Sequence, residues 1–355
     1  MVYLYIASTR AYSGKSLIAL GLGLLLKERG LRVGYVKPFG RIPMQMGNHI
    51  VDADAEFMRK ALDIDEPAEI VSPFTATPKS RDDALLGRPA DMFAAVSAAF
   101  DAISGKDVVI VGGAADFFEG SLFGLNALRI IDHLSAKTLL IEPWSADTSI
   151  DAIIGSRDLL KERFLGCVIN KLPQTAHDFV NAAVRPYLQG QGAPVFAALH
   201  KDILLDSISV RQLNDILGGR ILCGEDHLDE FIENYSIGAM DVDSALKYFR
   251  RTQKKAVITG AHRADIQLAA LETSTQCLVL TGGLGPDEMI MEKARLSGVP
   301  ILSVQDDTFV TVDKIEAVLG KIRIREQKKV AKTKEIVGQE LDLDGLLSQL
   351  GMDRA

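Results

Sequence analysis

The sequence is poor in the residues that build metal sites and disulfide frameworks. It has three cysteines and six histidines among 355 residues. The cysteines are far apart and form no Cys-x-x-Cys pair, and no His-Glu-x-x-His motif is present. These absences exclude a zinc ribbon, a redox pair and a zinc-protease helix. We therefore expect the cysteines to be buried free thiols in a reducing compartment.

The chain also lacks long apolar runs and an excess of positive charge. No stretch reaches the roughly 18 apolar residues of a membrane-spanning helix, and the N-terminus lacks the basic segment of a signal peptide. The formal net charge is −7, which argues against a general nucleic-acid or anionic-membrane binder. We expect a cytoplasmic protein with no nucleic-acid or membrane partner, although a single loop suffices to bind a phosphate.

What is present is an alternation of short β-branched runs and longer amphipathic stretches. The predicted strands are 3–7, 32–37, 107–111, 138–141, 167–170 and 195–199, and the predicted helices include 15–28, 91–103 and 150–161. Continuous apolar strands separated by helices are typical of a parallel sheet that is covered on both faces. The sequence therefore predicts an α/β fold with a mostly parallel sheet.

A second alternating set follows Gly218-Gly219, a diglycine that interrupts both helices and strands. Its predicted strands are 256–259, 277–281 and 301–304, and its predicted helices are 265–273, 287–297 and 310–319. We expect a first domain over residues 1–218, a smaller α/β domain over 219–325 and a helical tail over 326–355. In the tail, residues 341–350 predict an amphipathic helix that is either solvated or docked.

The first predicted strand is followed by residues 8–13 and then by the sequence Gly14-Lys15-Ser16, at which a helix begins. Backbone N–H groups at a helix N-terminus bind anions, and the helix dipole favours negative charge there. Gly-Lys-Ser at a strand-to-helix turn is the core of a P-loop, in which Lys15 reaches the β- and γ-phosphates and Ser16 holds Mg²⁺. Thr9 replaces the usual first glycine, so the loop is a variant. The alternative is a Gly-Lys-Ser that only caps a helix.

Several segments in order and spacing resemble dethiobiotin synthetase, and more closely the synthetase-like N-terminal region of long-form phosphotransacetylases. The segments are residues 8–16, 33–38, 51–55, 72–74 and 166–173. The synthetase loop is one residue longer than a standard P-loop, and its glycine aligns with Ser8. The resemblance implies a P-loop NTPase-like domain that binds ATP and Mg²⁺.

The resemblance also implies roles for individual residues. The nucleotide would contact the loop at Ser8, Thr9, Arg10, Ser13, Gly14, Lys15 and Ser16. Lys15 and Lys37 would be catalytic, because the synthetase lysine at Lys37 faces phosphate and carboxylate groups. Ser16 and Asp54 would bind Mg²⁺, which takes one or two protein oxygens beside phosphates and waters. Asn170 would read a purine, and Pro173 stands where a guanine-selecting aspartate is expected, so adenine is favoured. Alone, Asn170 could equally close a turn.

One position departs from the family. The strand 108–111 normally ends in Val-Glu-Gly, and the glutamate helps to hold the metal; Gly112 stands in its place. Asp116 and Glu119 follow shortly and are the alternative carboxylates. We expect nucleotide binding with slow hydrolysis, and Gly112→Glu is the substitution expected to raise the rate. Arg10 occupies the position of a signature lysine that reaches across a dimer in related proteins, which suggests a homodimer; a solvent-facing loop residue is the alternative.

The second domain resembles the DRTGG domain of long phosphotransacetylases, which is taken as regulatory. The matching residues are Arg263 and Thr281-Gly282-Gly283, with His262 in place of the aspartate. Glycines let a backbone approach a ligand, and arginine suits anions, so these residues are a candidate second site for an anionic metabolite. The alternative is a tight turn, with Arg263 paired to Asp265.

Two functions from different classes follow. The first is a free-standing ATP- and Mg²⁺-binding regulatory module that acts on a separate acyltransferase. The second is an ATP-dependent ligase or weak ATPase of the dethiobiotin synthetase or cobyrinate synthase type. Gly112 favours the first, and the presence of Lys15, Ser16, Lys37 and Asp54 favours the second. The acetyltransferase domain of the long enzymes has no counterpart in these 355 residues, so phosphate acetyl transfer by this chain alone is not expected.

Overall fold

The computed structural model describes residues 1–88, 91–318 and 327–352. These residues divide into two compact units. The first comprises Met1–Lys201 together with the described residues 327–352, and the second is Asp202–Ile322, described as far as residue 318. Among the described residues, no helix is both long enough and apolar enough to cross a bilayer.

The first unit is built on a six-stranded parallel sheet with the strand order β2-β5-β1-β6-β7-β8. A separate antiparallel hairpin is formed by β3 and β4. The strands are β1 Val2–Ala7, β2 Val33–Val36, β3 Pro43–Met46, β4 His49–Asp52, β5 Val108–Gly112, β6 Lys137–Pro143, β7 Phe164–Leu172 and β8 Val195–His200. The helices up to β8 are α1 Lys15–Glu28, α2 Ala53–Ala61, α3 Ala68–Val71, α4 Pro78–Leu85, α5 Met92–Asp101, α6 Ala127–Leu134, α7 Asp147–Leu160, α8 His177–Phe179 and α9 Arg185–Gly190.

Both faces of this sheet are buried, as continuous apolar strands require. Leu4 and Ile6 of β1 pack into the core on one face, while Tyr5 and Ala7 pack into the core on the other. Successive strand residues point to opposite faces, so a strand covered on both sides must be apolar throughout. The predicted α/β class and mostly parallel sheet are confirmed.

The second unit is a smaller α/β sheet with the order β10-β15-β14-β13-β12, in which β10 is antiparallel to β15 and the remaining pairs are parallel. Strands β9 and β11 form a separate antiparallel pair. The strands are β9 Ile208–Ser209, β10 Arg220–Cys223, β11 Phe231–Ile232, β12 Asn234–Ile237, β13 Lys255–Gly260, β14 Thr275–Thr281 and β15 Ile301–Val304. The helices are α10 Ile203–Asp206, α11 Val210–Leu217, α12 Val242–Arg251, α13 Ala264–Leu271, α14 Glu288–Ser297 and α15 Thr308–Val318. The predicted helix end at Leu319 lies outside the described residues.

The diglycine at 218–219 has a local role in this unit. Gly218 has a φ of +60° and ends α11 in the left-handed conformation that favours glycine. Helix α11 itself packs against α15 through the second unit's core. The border between the two compact units lies after Lys201, before the junction predicted at Gly218-Gly219. Independent folding of the two predicted domains stays a prediction, and their predicted border at 325–326 lies outside the described residues.

After the second unit the chain returns to the first. Helix α16, Gln327–Glu340, packs along α1 and β8, and α17, Leu343–Gln349, packs against β8. Val337 is fully buried, and a Cβ on Gly21 of α1 would lie 2.6 Å from one of its methyl carbons. Gly21 costs helix stability, roughly 1 kcal/mol relative to alanine, but it allows the two helices to approach closely. The predicted tail helix is a docked one, since Leu346 and Leu347 are buried.

Candidate functional site

The loop between β1 and α1 ends at a glycine that the geometry requires. Gly14 has a φ of +95°, in the region that favours glycine, and immediately precedes Lys15, the first residue of α1. A Cβ on Gly14 would also collide with the side-chain amide of Asn170. The N-terminus of α1 therefore stands at the carboxyl end of β1, which is where parallel α/β sheets bind ligands.

Lys15 points back into the loop. Its Nζ donates to the Ser8 hydroxyl at 2.5 Å and to the Ala115 carbonyl oxygen at 3.0 Å. Burial lowers the pKa of Lys15 to about 8, and the nearby Lys37 ammonium also lowers it. Three carboxylates oppose this shift: Glu119, Asp116 and Glu142. The loop thus encloses a cation in a polar setting that is largely removed from water.

Hydroxyl groups within the loop stabilise its conformation. The Ser8 hydroxyl has one proton to donate and lies within hydrogen-bond distance of two carbonyl oxygens, that of Arg10 at 2.7 Å and that of Ala115 at 2.9 Å. The Ser13 hydroxyl donates to the same Arg10 carbonyl at 2.5 Å. Both serines are buried, whereas Ser16 at the start of α1 is exposed. The hydroxyl groups of Ser8 and Ser13 are therefore hydrogen-bonded to backbone carbonyl oxygens, whereas the hydroxyl of Ser16 is accessible to a ligand.

Glu142, at the end of β6, is a site residue that the sequence analysis missed. Its side chain is 1% exposed and accepts hydrogen bonds from the Thr9 hydroxyl at 2.6 Å and from Arg10 Nη2 at 2.8 Å. Arg10 Nη2 also donates to the Pro143 carbonyl oxygen. Arg10 is therefore paired within its own chain. A carboxylate inside the apolar run of β6 was the signal that could have identified Glu142.

Asn170, predicted to read a purine, contacts the loop. Its side chain is 5% exposed, and its Nδ2 donates to the Ser13 carbonyl oxygen at 2.8 Å. The residue lies in β7, next to β6, so Asn170 and Glu142 reach the loop from neighbouring strand ends. Base recognition by Asn170 stays a prediction.

Lys37 and two aspartates form a second charged group at the end of β2. Lys37 Nζ lies 2.8 Å from Asp52 Oδ1 and 3.5 Å from Asp54 Oδ2. Asp52 is fully buried and accepts four backbone N–H bonds, from Arg41, Ile42, Asp54 and Ala55. Burial raises the pKa of Asp52, but the Lys37 ammonium and these bonds hold it below its ordinary value overall. Asp52 thus caps α2, and Asp54 lies beside it, partly exposed.

A side chain at position 112 would require Tyr35 to move. A Cβ on Gly112 would collide with the hydroxyl group of Tyr35, which is buried on the neighbouring strand β2. Of the alternative carboxylates, Asp116 accepts N–H bonds within its own turn. Glu119 accepts the Ala115 N–H and lies 3.2 Å from Arg41. No group of three or more acidic, histidine or cysteine side chains suited to a metal occurs in the part of the chain described.

The candidate anion site of the second unit lies at the carboxyl ends of β13 and β14, where Gly260 and Thr281 are register partners. Arg263 pairs with both carboxylate oxygens of Asp265 at 2.9 Å and donates to the Met240 carbonyl oxygen. The N–H groups of Gly282 and Gly283 donate to the carbonyl oxygens of Asp306 and Val304. These donors are therefore engaged within the protein, and the anion site stays a prediction.

Two known families match separate parts of the chain. Residues 3–209, more than half of the chain, match an AAA domain, and residues 212–318 match a DRTGG domain. The order of the two domains agrees with the predicted likeness to the P-loop and DRTGG region of phosphotransacetylases, which is confirmed.

The curated relatives include several phosphate acetyltransferases. The enzyme of Nitratidesulfovibrio vulgaris is 24% identical over 371 residues, which cover 98% of this chain and 51% of that protein. The enzyme of Synechocystis sp. gives the same identity and coverage, and that of Pseudomonas aeruginosa is 24% identical over 99% of this chain and 52% of its own. The chain thus spans about half the length of these relatives.

Similar solved structures cover about half of the chain. The MinD cell division protein of Aquifex aeolicus has a TM-score of 0.36 and 12% identity, covering 58% of this chain and 84% of MinD. The CBS and DRTGG domains of a Clostridium perfringens pyrophosphatase, complexed with the activator diadenosine tetraphosphate, give a TM-score of 0.30 and 16% identity. That match covers 45% of this chain and 75% of the other.

Proposed function

The chain belongs to the AAA domain family through residues 3–209, and on that premise we propose that it is an ATP- and Mg²⁺-binding regulatory protein. The observation that carries the proposal is the position of Lys15, the first residue of α1, with its ammonium held inside the loop Ser8–Ser16. A nucleotide phosphate would accept from Lys15 and from the free N–H groups at the start of α1. Lys15 would then exchange Ser8 and Ala115 for the phosphate.

The residues present fit a magnesium ion in its usual nucleotide setting. Mg²⁺ takes one or two protein oxygens and completes its shell with phosphates and waters. The exposed hydroxyl of Ser16 and the partly exposed carboxylate of Asp54 are the two protein oxygens that we propose. When bound, the ion would neutralise charge on the phosphates, and Lys37, held beside Asp54, would add a second positive charge on the same edge of the sheet.

Adenine is the base that we propose, with Asn170 as the reader. Since Asn170 Nδ2 donates to Ser13, base recognition would rest on the side-chain carbonyl oxygen, which accepts from an amino group. That acceptor suits the amino group of adenine. Substitution of Asn170 should therefore change both the loop and the choice of base.

A regulatory role is favoured over turnover by the environment of Gly112. Tyr35 fills the space from which a metal carboxylate would project, and Asp116 and Glu119 accept hydrogen bonds from the backbone of their own segment, residues 115–119. We expect ATP hydrolysis below about 1 s⁻¹, the low end of typical enzyme rates. The second candidate, an ATP-dependent ligase or weak ATPase, is supported by Lys37, which lies beside Asp54 with a side chain that is 13% exposed.

The regulatory proposal includes partners. We propose that the chain forms a homodimer, binds an anionic metabolite at Arg263 and the Thr281–Gly283 turn, and acts on an acyltransferase. Arg10 and Arg263 each have an acidic partner within the chain, and Arg263 would have to exchange Asp265 for the metabolite. Coupling between two sites is typically about 1–3 kcal/mol, which predicts a roughly 5- to 150-fold change in ATP affinity with the metabolite bound.

A thermal-shift panel of ATP, ADP, GTP and AMP with Mg²⁺, combined with an ATP turnover assay, tests the proposal. A ligand that binds only the folded state raises Tm in proportion to the logarithm of its concentration. We expect stabilisation by ATP and ADP, weaker stabilisation by GTP, and slow hydrolysis. Turnover of tens per second without a partner would favour the enzymatic candidate, and no shift with any nucleotide would contradict both.

A further inference from the structure

Two buried polar side chains reach opposite ends of the phosphate loop from the carboxyl ends of neighbouring strands. We propose that Glu142 and Asn170 are positioning residues, which set the conformation of residues 9–14 before any nucleotide arrives. The proposal extends the proposed nucleotide site. Only the expected effect on nucleotide affinity rests on that proposed function, because Glu142 and Asn170 contact the loop in the absence of a nucleotide.

Glu142 holds the first half of the loop. Its carboxylate is almost fully buried, and it accepts from the Thr9 hydroxyl through Oε2 and from the Arg10 guanidinium through Oε1. A buried carboxylate is costly unless it is paired and hydrogen-bonded. Both of these donors come from the loop, so a loop that moved away would leave the charge of Glu142 without them. The buried charge therefore favours this loop conformation strongly.

Asn170 holds the second half. Its Nδ2 donates to the carbonyl oxygen of Ser13, and the same amide packs against the α-carbon of Gly14. Residues 9–10 and residues 13–14 are thus fixed from β6 and from β7, two strands that pair directly. The N–H groups that follow Gly14 are then oriented by the sheet as well as by α1.

The arrangement also explains why an acidic residue is tolerated beside a site for anions. Arg10, with a side chain that is 42% exposed, pairs with the buried carboxylate of Glu142. An incoming phosphate would therefore meet the guanidinium and Lys15 in place of the bare carboxylate. The role that we assign to Glu142 is to position Thr9 and Arg10, and Glu142 itself does not contact the ligand.

Hydrogen exchange of the full chain without nucleotide tests this assignment. In Glu142→Gln and in Asn170→Ala, the amides of residues 9–14 should exchange about tenfold faster, a factor that corresponds to about 1.4 kcal/mol, close to the contribution of one hydrogen bond. Exchange in α1 beyond its first turn should not change. Glu56→Gln, which removes another buried and paired carboxylate of the same unit, is the matched control and should leave the loop unchanged.

Variants of Thr9, the partner of Glu142 in the loop, test the same hydrogen bond without changing the buried side chain of Glu142. Thr9→Val keeps the shape and removes the hydroxyl, so it should reproduce the faster exchange, and Thr9→Ser should restore protection. Wild-type exchange rates in Glu142→Gln and Thr9→Val, or the same increase in Glu56→Gln, would overturn the assignment.

A titration with ADP separates this proposal from the proposed function. With both correct, Glu142→Gln weakens ADP binding about tenfold and loosens the loop. If the wild type binds no nucleotide while the exchange results stand, the proposed function fails and the positioning role holds. If ADP binds equally to wild type and Glu142→Gln and the loop amides are unchanged, the positioning role fails while the nucleotide site remains.

Discussion

The hydroxyl group of Tyr35 lies against the α-carbon of Gly112, in the volume that a larger side chain at position 112 would occupy. The two residues are on the paired strands β2 and β5, where Tyr35 is the register partner of Ile110, two positions before Gly112 on the same face. The absence of a carboxylate at position 112 is therefore matched by a neighbour that fills its place. The gain in hydrolysis expected from Gly112→Glu would require Tyr35 to move.

Gly112→Ala should destabilise the protein by about 1–3 kcal/mol, because the new methyl group meets the Tyr35 hydroxyl in a packed core. Tyr35→Phe removes that hydroxyl, so the double variant should be more stable than the sum of the two single effects predicts. Urea unfolding of the four proteins measures this coupling. Strictly additive free energies of unfolding would show that Tyr35 does not fill this space.

Nucleotide affinity should fall as the pH rises through about 8, where Lys15 loses its proton. The neutral amine attracts phosphate less than the ammonium does, and burial is the main cause of the lowered pKa. Lys15→Arg keeps its charge at every accessible pH, so its affinity, although weaker, should stay level. Dissociation constants of ADP between pH 7.5 and pH 10 provide the test, and parallel curves for the two proteins would contradict it.

Asp52 should contribute stability that is lost in acid. Its folded pKa lies below the unfolded value of about 3.9, so the contribution is complete above that value and disappears as the pH falls through the folded pKa. Asp52→Asn should cost about 1–3 kcal/mol at pH 7, since the Lys37 ion pair is lost. The deficit should shrink below pH ~4. Asp178→Asn, at a fully exposed carboxylate, is the control; a deficit that does not change with pH would argue against the charge effect.

The second unit should fold as residues 202–318, and less well as residues 220–318. The shorter fragment lacks α11, whose residues Val210, Leu213 and Leu217 are buried. Residues 1–201 alone should bind the dye ANS, because the core residues beneath α16 and α17 would be exposed. Circular dichroism and ANS fluorescence of the three fragments check this. Equal stability of 202–318 and 220–318 would favour the junction at Gly218-Gly219.

The sequence predicts well those helices and strands whose causes are local in the chain. The strand ending at Ala7 and the helix Lys15–Glu28 follow from hydrophobic pattern and from Gly14, since their causes lie within a few residues. Glu142 was not predicted as a site residue because its role depends on hydrogen bonds from Thr9 and Arg10, which are distant in the chain.

Long-range packing decides the remaining differences. Helix α16 was not predicted as a separate element, since its apolar side is completed by α1 and β8, which are distant in the chain. The domain junction at Gly218-Gly219 stays a prediction; the structure adds that Gly218 ends α11, a helix that packs against α15 later in the chain. Gly112 was recognised as a missing carboxylate, but no sequence pattern identifies Tyr35 as the residue that fills its space.

The most direct test of the account is calorimetric titration of the full chain with ATP and ADP in the presence of Mg²⁺. We expect one site per chain that is lost or weakened at least about tenfold in Lys15→Ala, as expected when a charge-assisted hydrogen bond to phosphate is removed. Lys79→Ala, at an exposed lysine of the same unit, should bind like the wild type. Equal affinity in the wild type and Lys15→Ala, or no heat of binding in the wild type, would contradict a nucleotide site at residues 8–16.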